Sequence, residues 1–139
     1  MRNFIRYLPK FMHATGAILC IVSGIPSLPN NPGYVFNIAF GCLIGFEAIP
    51  KKAPKKYPPS SERDALGSAY HGITYSRNVK MLFAGALAAM SIWFAIQGYV
   101  NYAINSAFFT LGALFSVGAS EIERHQTKKI LNDIVNKKE

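Results

Sequence analysis

Residues 81–99, MLFAGALAAMSIWFAIQGY, run for nineteen positions without an Asp, Glu, Lys, Arg or His. A helix of roughly 20 apolar residues crosses the hydrocarbon core of a bilayer. Leu, Ala and Met favour the helix, and Pro is absent. The segment therefore reads as a membrane-spanning helix. Outward from it, Arg77 and Lys80 precede it, and an uncharged connection at Gln97–Tyr102 follows. A second uncharged segment, residues 103–120, comes next. Two earlier apolar segments lie at about Phe11–Leu28 and Tyr34–Pro50. Within the four segments the side chains of acid–base interest are His13 and Glu47.

The fold class expected is all-α: a polytopic membrane protein with four transmembrane helices in two hairpins and a cytoplasmic C-terminal helical tail. Residues 1–50 form the N-terminal hairpin, 51–80 a basic cytoplasmic linker, 81–120 the C-terminal hairpin and 121–139 the charged tail. In the first span Pro26 and Pro29 would end a helix early, and a re-entrant segment is its alternative. Arg2, Arg6 and Lys10 before an apolar run also resemble a signal peptide. No soluble domain follows it, however, so the segment is read as part of the mature protein.

Composition agrees with this reading. The chain has 139 residues, of which 50% are hydrophobic and 16% charged, with a net charge of +8. Soluble domains carry roughly a quarter charged residues. A disordered basic tail would be poorer in apolar residues, and a disulfide-stapled module needs more than the 2 cysteines present. Both classes are excluded.

The basic residues set the orientation. Arg2, Arg6 and Lys10 precede the first segment. Lys51, Lys52, Lys55, Lys56, Arg63, Arg77 and Lys80 lie between the second and third, and Arg124, Lys128, Lys129, Lys137 and Lys138 follow the fourth. These are all 15 basic residues, while the connections at Pro29–Gly33 and Gln97–Tyr102 carry none. Positive charge stays on the cytoplasmic or matrix side. Both termini and the middle linker are thus expected inside, in a bacterial inner membrane or its mitochondrial counterpart. The Lys51–Lys56 patch would also suit a phosphate backbone. Its place beside a span makes topology and anionic lipid the simpler reading, and nucleic acid is not expected as a partner.

An internal repeat is suggested by Tyr34-x-x-Asn37-x-Ala39-Phe40 and Tyr102-x-x-Asn105-x-Ala107-Phe108. Upstream, Lys10 corresponds to Lys80, and Gly16-Ala17-Ile18 to Gly85-Ala86-Leu87. Such a unit would be one hairpin used twice in the same orientation, a parallel repeat. In the linker, Pro54, Pro58 and Pro59 favour extended chain. Ser61-x-x-Asp64 resembles a capping box, so Ala65–Tyr70 reads as a short surface helix. Ile122, Ile130, Leu131 and Ile134 give the tail a modest apolar stripe on a continuation of the fourth helix.

Helices in lipid associate through small residues that let backbones approach. Gly41-x-x-x-Gly45, Gly85-x-x-x-Ala89 and Gly112-x-x-x-Ser116 offer such faces, and the first span offers Gly16, Ala17, Ser23 and Gly24. They serve either a compact monomer or a homo-oligomer or membrane partner.

An acid inside a span pairs, faces a cavity or relays protons. Glu47 and His13 lie at similar depth on neighbouring antiparallel spans, so a Glu47–His13 contact is expected. The competing reading sends Glu47 to the interface beside Lys51, one helical turn away. Glu121 and His125 share a helix face but make only two metal ligands. His13 alone is too little for haem, and Cys20 and Cys42 lack a redox spacing. No catalytic set, metal site or cofactor is read, and the protein is not read as an enzyme. Two function classes remain. One is a non-catalytic accessory, regulatory or immunity-type component that works by helix–helix association with another membrane protein. The other is a small oligomeric transporter or channel using Glu47, His13, Asn37 and Asn105.

Overall fold

The computed structural model describes residues 2–25, 35–49 and 59–136, with side chains placed from residue 7 in the first stretch and residue 63 in the third. Within these, four helices account for the fold: α1 (Arg2–Gly24), α2 (Val35–Ala48), α3 (Pro59–Ile96) and α4 (Val100–Asn136). The chain is all-helical, and two helices, α3 over Arg63–Ile96 and α4, are long and apolar enough to cross a membrane. α2 is apolar but shorter, at 14 residues. The Pro29–Gly33 connection and Lys51 to Lys56 lie outside the described residues.

The third helix departs from the sequence reading. α3 runs unbroken from Pro59, so Ala65–Tyr70 is an early part of a 38-residue helix and not a separate surface segment. Proline suits a first helical position, where its missing N–H has no intrahelical duty. Beyond Pro59 no proline interrupts the helix, and charged residues end an apolar window without ending a helix. Arg77 and Lys80, read as linker, therefore lie within α3. α4 likewise continues past the apolar segment to Asn136.

Between α3 and α4 the chain reverses in three residues. Gly98 takes the left-handed conformation (φ 79°). Its N–H donates to the Ala95 carbonyl at 3.1 Å, and the Tyr99 N–H donates to the Phe94 carbonyl at 2.9 Å. This is the Schellman pattern, in which glycine ends a helix without a Cβ clash. The Phe94 and Tyr99 rings pack edge-on at 6.5 Å and supply the apolar contact that accompanies it.

Packing follows the order α2, α1, α4, α3, each helix lying closely against the next. Two crossings depend on glycine. A methyl group on Gly16 would stand 2.5 Å from the Gly112 carbonyl oxygen, and one on Gly112 would stand 2.6 Å from that of Gly16. A methyl on Gly41 would meet the Ala17 carbonyl oxygen at 2.9 Å, whereas Gly45 makes only ordinary contact with Ala17. The Gly85–Ala89 face differs. Gly85 and Ala89 are exposed, and nothing lies within 4 Å of a methyl group placed on Gly85. Gly16 and Gly85, equivalent under the suggested repeat, thus occupy unlike environments.

The buried apolar cluster is small: Ala17, Cys20, Phe40, Ile44, Ala84, Phe109 and Ala113. Phe40 lies 5.3 Å from Phe109 and 5.5 Å from Phe83, so rings bridge the space between α2 and α3. Among them the interior also holds His13, Ser23, Asn37, Lys80, Ser106, Ser116 and Ser120. The outside is apolar: Leu82 and Ile96 are each 75% exposed, Phe11 70%, Phe46 66% and Leu43 65%. Through the apolar stretches of the helices, polar groups are held inside beside Phe40, Ile44 and Phe109, while many large apolar side chains face outward.

Overpacking a tight crossing costs about 1–3 kcal/mol. Gly112→Val should lower unfolding stability in detergent by that amount, whereas Gly85→Val should stay within about 0.5 kcal/mol of wild type. Thermal or denaturant unfolding followed by circular dichroism measures both.

Candidate functional site

Of the polar residues of the interior, His13, Lys80, Ser116 and Ser120 gather towards the end of the bundle that carries Lys10, Arg77 and Arg124, whereas Ser23, Asn37 and Ser106 lie towards the other end. Helical spacing assembles the first group. Ser76 and Lys80 are four apart on α3, and Ser116, Ser120 and Glu123 follow one stripe of α4, so each set shares a face. α1 contributes His13 and α2 contributes Glu47.

Glu47 is the hub. Its Oε2 accepts from the Lys80 ammonium, and its Oε1 accepts from the Ser76 hydroxyl at 2.9 Å. Lys80 also donates to Ser120 Oγ at 3.2 Å. His13 Nδ1 lies 2.8 Å from Ser116 Oγ and 3.4 Å from Glu47 Oε2. His13 Nε2 faces Glu123 Oε2 at 3.7 Å and has no hydrogen-bond partner. His13 is fully buried and Lys80 nearly so, while Glu47 and Glu123 are about one-third exposed. Charges are tolerated away from water only when paired and hydrogen-bonded, and here four helices supply the partners.

His13 and Glu47, paired on the basis of depth alone, do meet. Lys51, offered as the competing partner of Glu47, lies outside the described residues. Lys80 is the partner that sequence reasoning missed. Counting it with the linker hid the available signal, a lysine beside an apolar segment at the same depth as Glu47. Ser76, Ser120 and Glu123 carried no signal strong enough to find alone. Asn37 is buried, and its Nδ2 donates to Ser23 Oγ at 3.3 Å. Asn105 is half-buried and engaged in a contact of its own. Cys20 is buried with its thiol directed at the Phe109 carbonyl, 3.7 Å away, and Cys42 is exposed on α2.

A second ionic group stands beside the first. Glu121 accepts from Arg77 and from Arg124, each at 2.6 Å, and Arg124 reaches Tyr70 Oη at 3.2 Å. Both oxygens of Glu121, read with His125 as one of only two possible metal ligands, are thus engaged by arginines. Among the described residues no three His, Cys, Asp or Glu side chains come together in a metal-holding group. The Arg124 hydrogen bond first, then that of Arg77, pulls the Glu121 carboxyl down from 4.5 to about 2.

Three cavities follow the space between α2 and α3. One of about 770 Å³ at the turn end is lined by Phe36, Asn37, Phe83, Trp93, Tyr102 and Ser106. One of about 530 Å³ at the basic end is bounded by Lys10, Glu47, Ser76, Ser120, Glu123 and Thr127. A third, about 300 Å³, opens beside Leu43, Glu47, Tyr75 and Lys80. The Phe40, Phe83 and Phe109 rings pack between the two ends. Compared with known proteins, the chain matches no protein-family model, no curated protein and no solved structure.

Two outcomes follow for the ionic groups. Removing one partner of a buried pair leaves the other uncompensated, at 3–5 kcal/mol for full burial. With Glu47 partly exposed, Lys80→Met should destabilise by about 3 kcal/mol, and adding Glu47→Met should recover part of that; unfolding in detergent reads both. Glu121 has a depressed carboxyl, so its contribution is complete above pH 4.5 and falls away as pH drops towards about 2. The stability gap between wild type and Glu121→Gln should close across that window in an acid titration followed by circular dichroism.

Proposed function

We propose that the chain is a four-span integral membrane protein, inward-facing at both termini, whose work is to hold another membrane protein against α3. It is a non-catalytic accessory or regulatory component. The inverted distribution of polarity supports the membrane assignment, because lipid tails solvate apolar side chains and leave polar groups to satisfy one another inside. The basic residues at one end give the orientation.

A single observation carries the association reading: the more apolar of the two long helices is packed on one side only. Just 11% of the apolar window of α3 is buried, against 44% for α4. Its open side presents Leu82, Gly85, Ala89 and Ile92. Small residues at helical spacing allow close approach of a second helix, and dispersion between well-fitted surfaces then holds it. The other glycine faces are already used within the chain, so α3 is the surface left for a partner.

The transporter reading is favoured by a different observation, the cavities at opposite ends with an aromatic layer between them. It requires the ionic cluster to release its groups in turn. A non-catalytic scaffold does not require this.

Photo-crosslinking from position 82 in native membranes separates the two. Adducts with a distinct polypeptide, lost in Gly85→Leu/Ala89→Leu while unfolding stability is unchanged, are expected. Adducts with lipid alone would end the association reading, and adducts with a second copy together with selective flux in liposomes would replace it by the transporter.

A further inference from the structure

We propose that His13 is a proton-binding site, filled from the basic end of the bundle, and that its occupancy sets how firmly α1 is tied to α2 and α4. The proposal rests on the geometry of the buried cluster and is independent of what α3 binds.

His13 has no exposed surface, and each of its ring nitrogens faces a carboxylate: Nδ1 faces Glu47 Oε2 at 3.4 Å and Nε2 faces Glu123 Oε2 at 3.7 Å. A neutral imidazole has one N–H. If Nδ1 carries it, the lone pair of Nε2 points at the Glu123 carboxylate with no hydrogen bond between them. If Nε2 carries it, Nδ1 uses its one lone pair to accept from the Ser116 hydroxyl at 2.8 Å, and the Glu47 carboxylate 3.4 Å away faces a nitrogen with no proton to offer it. The first tautomer thus leaves Nε2 unpaired against a carboxylate, and the second leaves Glu47 uncompensated at Nδ1. The imidazolium alone donates on both sides.

Charge around the ring points the same way. α1 brings Lys10, α2 Glu47, α3 Lys80 and α4 Glu123. The Lys80 ammonium is committed to Glu47 and Ser120. Lys10 borders the same cavity, with its ammonium 6.0 Å over the Tyr7 ring. Arg77 and Arg124 are occupied by Glu121. Among the described residues, no Lys or Arg forms an ion pair with Glu123. Two carboxylates thus flank His13 while the one buried ammonium pairs with Glu47, and a proton on His13 balances the set.

The cavity of about 530 Å³ supplies the route, since Glu47 and Glu123 both border it while His13 lies behind them. Water delivers a proton to the Glu123 carboxylate. The Glu123 O–H passes it to Nε2, and Glu123 returns to its ionised form. One proton moves and no electrons are exchanged. With the proton in place, the imidazolium attracts the carboxylates of α2 and α4, 3.4 and 3.7 Å away, while Nδ1–H donates to Ser116 Oγ. Without it, both charge attractions are lost, leaving α1 and α4 joined by the Ser116 contact and the glycine crossing.

Histidine changes charge between about pH 5 and 8. The test is ring-nitrogen NMR of the full chain, labelled at histidine with nitrogen-15 and reconstituted in phosphatidylcholine vesicles, titrated across that range. His13 is assigned by the signals lost in His13→Gln. An imidazolium that loses one proton within the range is expected. In Glu123→Gln its midpoint should fall by about one pH unit, a tenfold weaker hold on the proton. His71 and His125 are exposed and should not shift with that substitution. A His13 ring that stays neutral at pH 5, or an unchanged midpoint in Glu123→Gln, would overturn the proposal. Should Glu123→Gln fail to fold, the wild-type titration decides by itself.

Discussion

The backbone approach of Gly16 to Gly112 is the constraint on which the arrangement depends. α1 packs on α2 and α3 packs on α4, and the α1–α4 crossing joins those two pairs. At that crossing each glycine leaves room for the other's carbonyl, which no larger residue does without shifting a helix. His13 lies one turn before Gly16 and Ser116 one turn after Gly112. Their 2.8 Å contact is therefore a product of the same approach. The ionic cluster sits where it does because two residues without side chains let the helices close.

The polar groups inside are costly to bury singly, and the fold answers this with redundancy. Glu47 is served by Lys80, Ser76 and His13, and Lys80 by Glu47 and Ser120. In the membrane setting proposed above, little is gained by hiding apolar surface, so hydrogen bonds and close packing carry more of the specificity. An ion pair between α2 and α3 has a further use. The two helices do not pack closely along their backbones, and the Lys80–Glu47 contact and the phenylalanine rings fix their separation.

Much of this was legible in the sequence. The uncharged run at residues 81–99 announced a long apolar helix, and the spacing of Gly41 and Gly112 announced close packing. The depth of His13 and Glu47 brought those two residues together before any geometry was known. Lys80 was misread because hydropathy marks where charge begins, and a helix does not stop there. Pro59 marks the start of α3 by its chemistry. Taken together with Pro54 and Pro58, it made the first third of the linker look extended. Gly85 shows a different limit: a small-residue face shows that a close contact is possible and is silent about which helix makes it. The Glu121–Arg77–Arg124 set joins positions 44 residues apart, a pairing that only the antiparallel course of α3 and α4 creates.

The length of α3 and α4 has a mechanical consequence. At 1.5 Å per residue each helix is about 56 Å long, against roughly 30 Å for a bilayer core. The stretch from Pro59 to Ser76, with its counterpart on α4, therefore stands beyond the ionic cluster as a two-helix arm about 25 Å long. The pivot of that arm is where Lys80, Glu47, Ser120 and His13 meet. A rotation of about 10° there would carry the tip through about 4 Å, by the same rise per residue. A small rearrangement among four side chains would thereby be magnified several-fold at the tip.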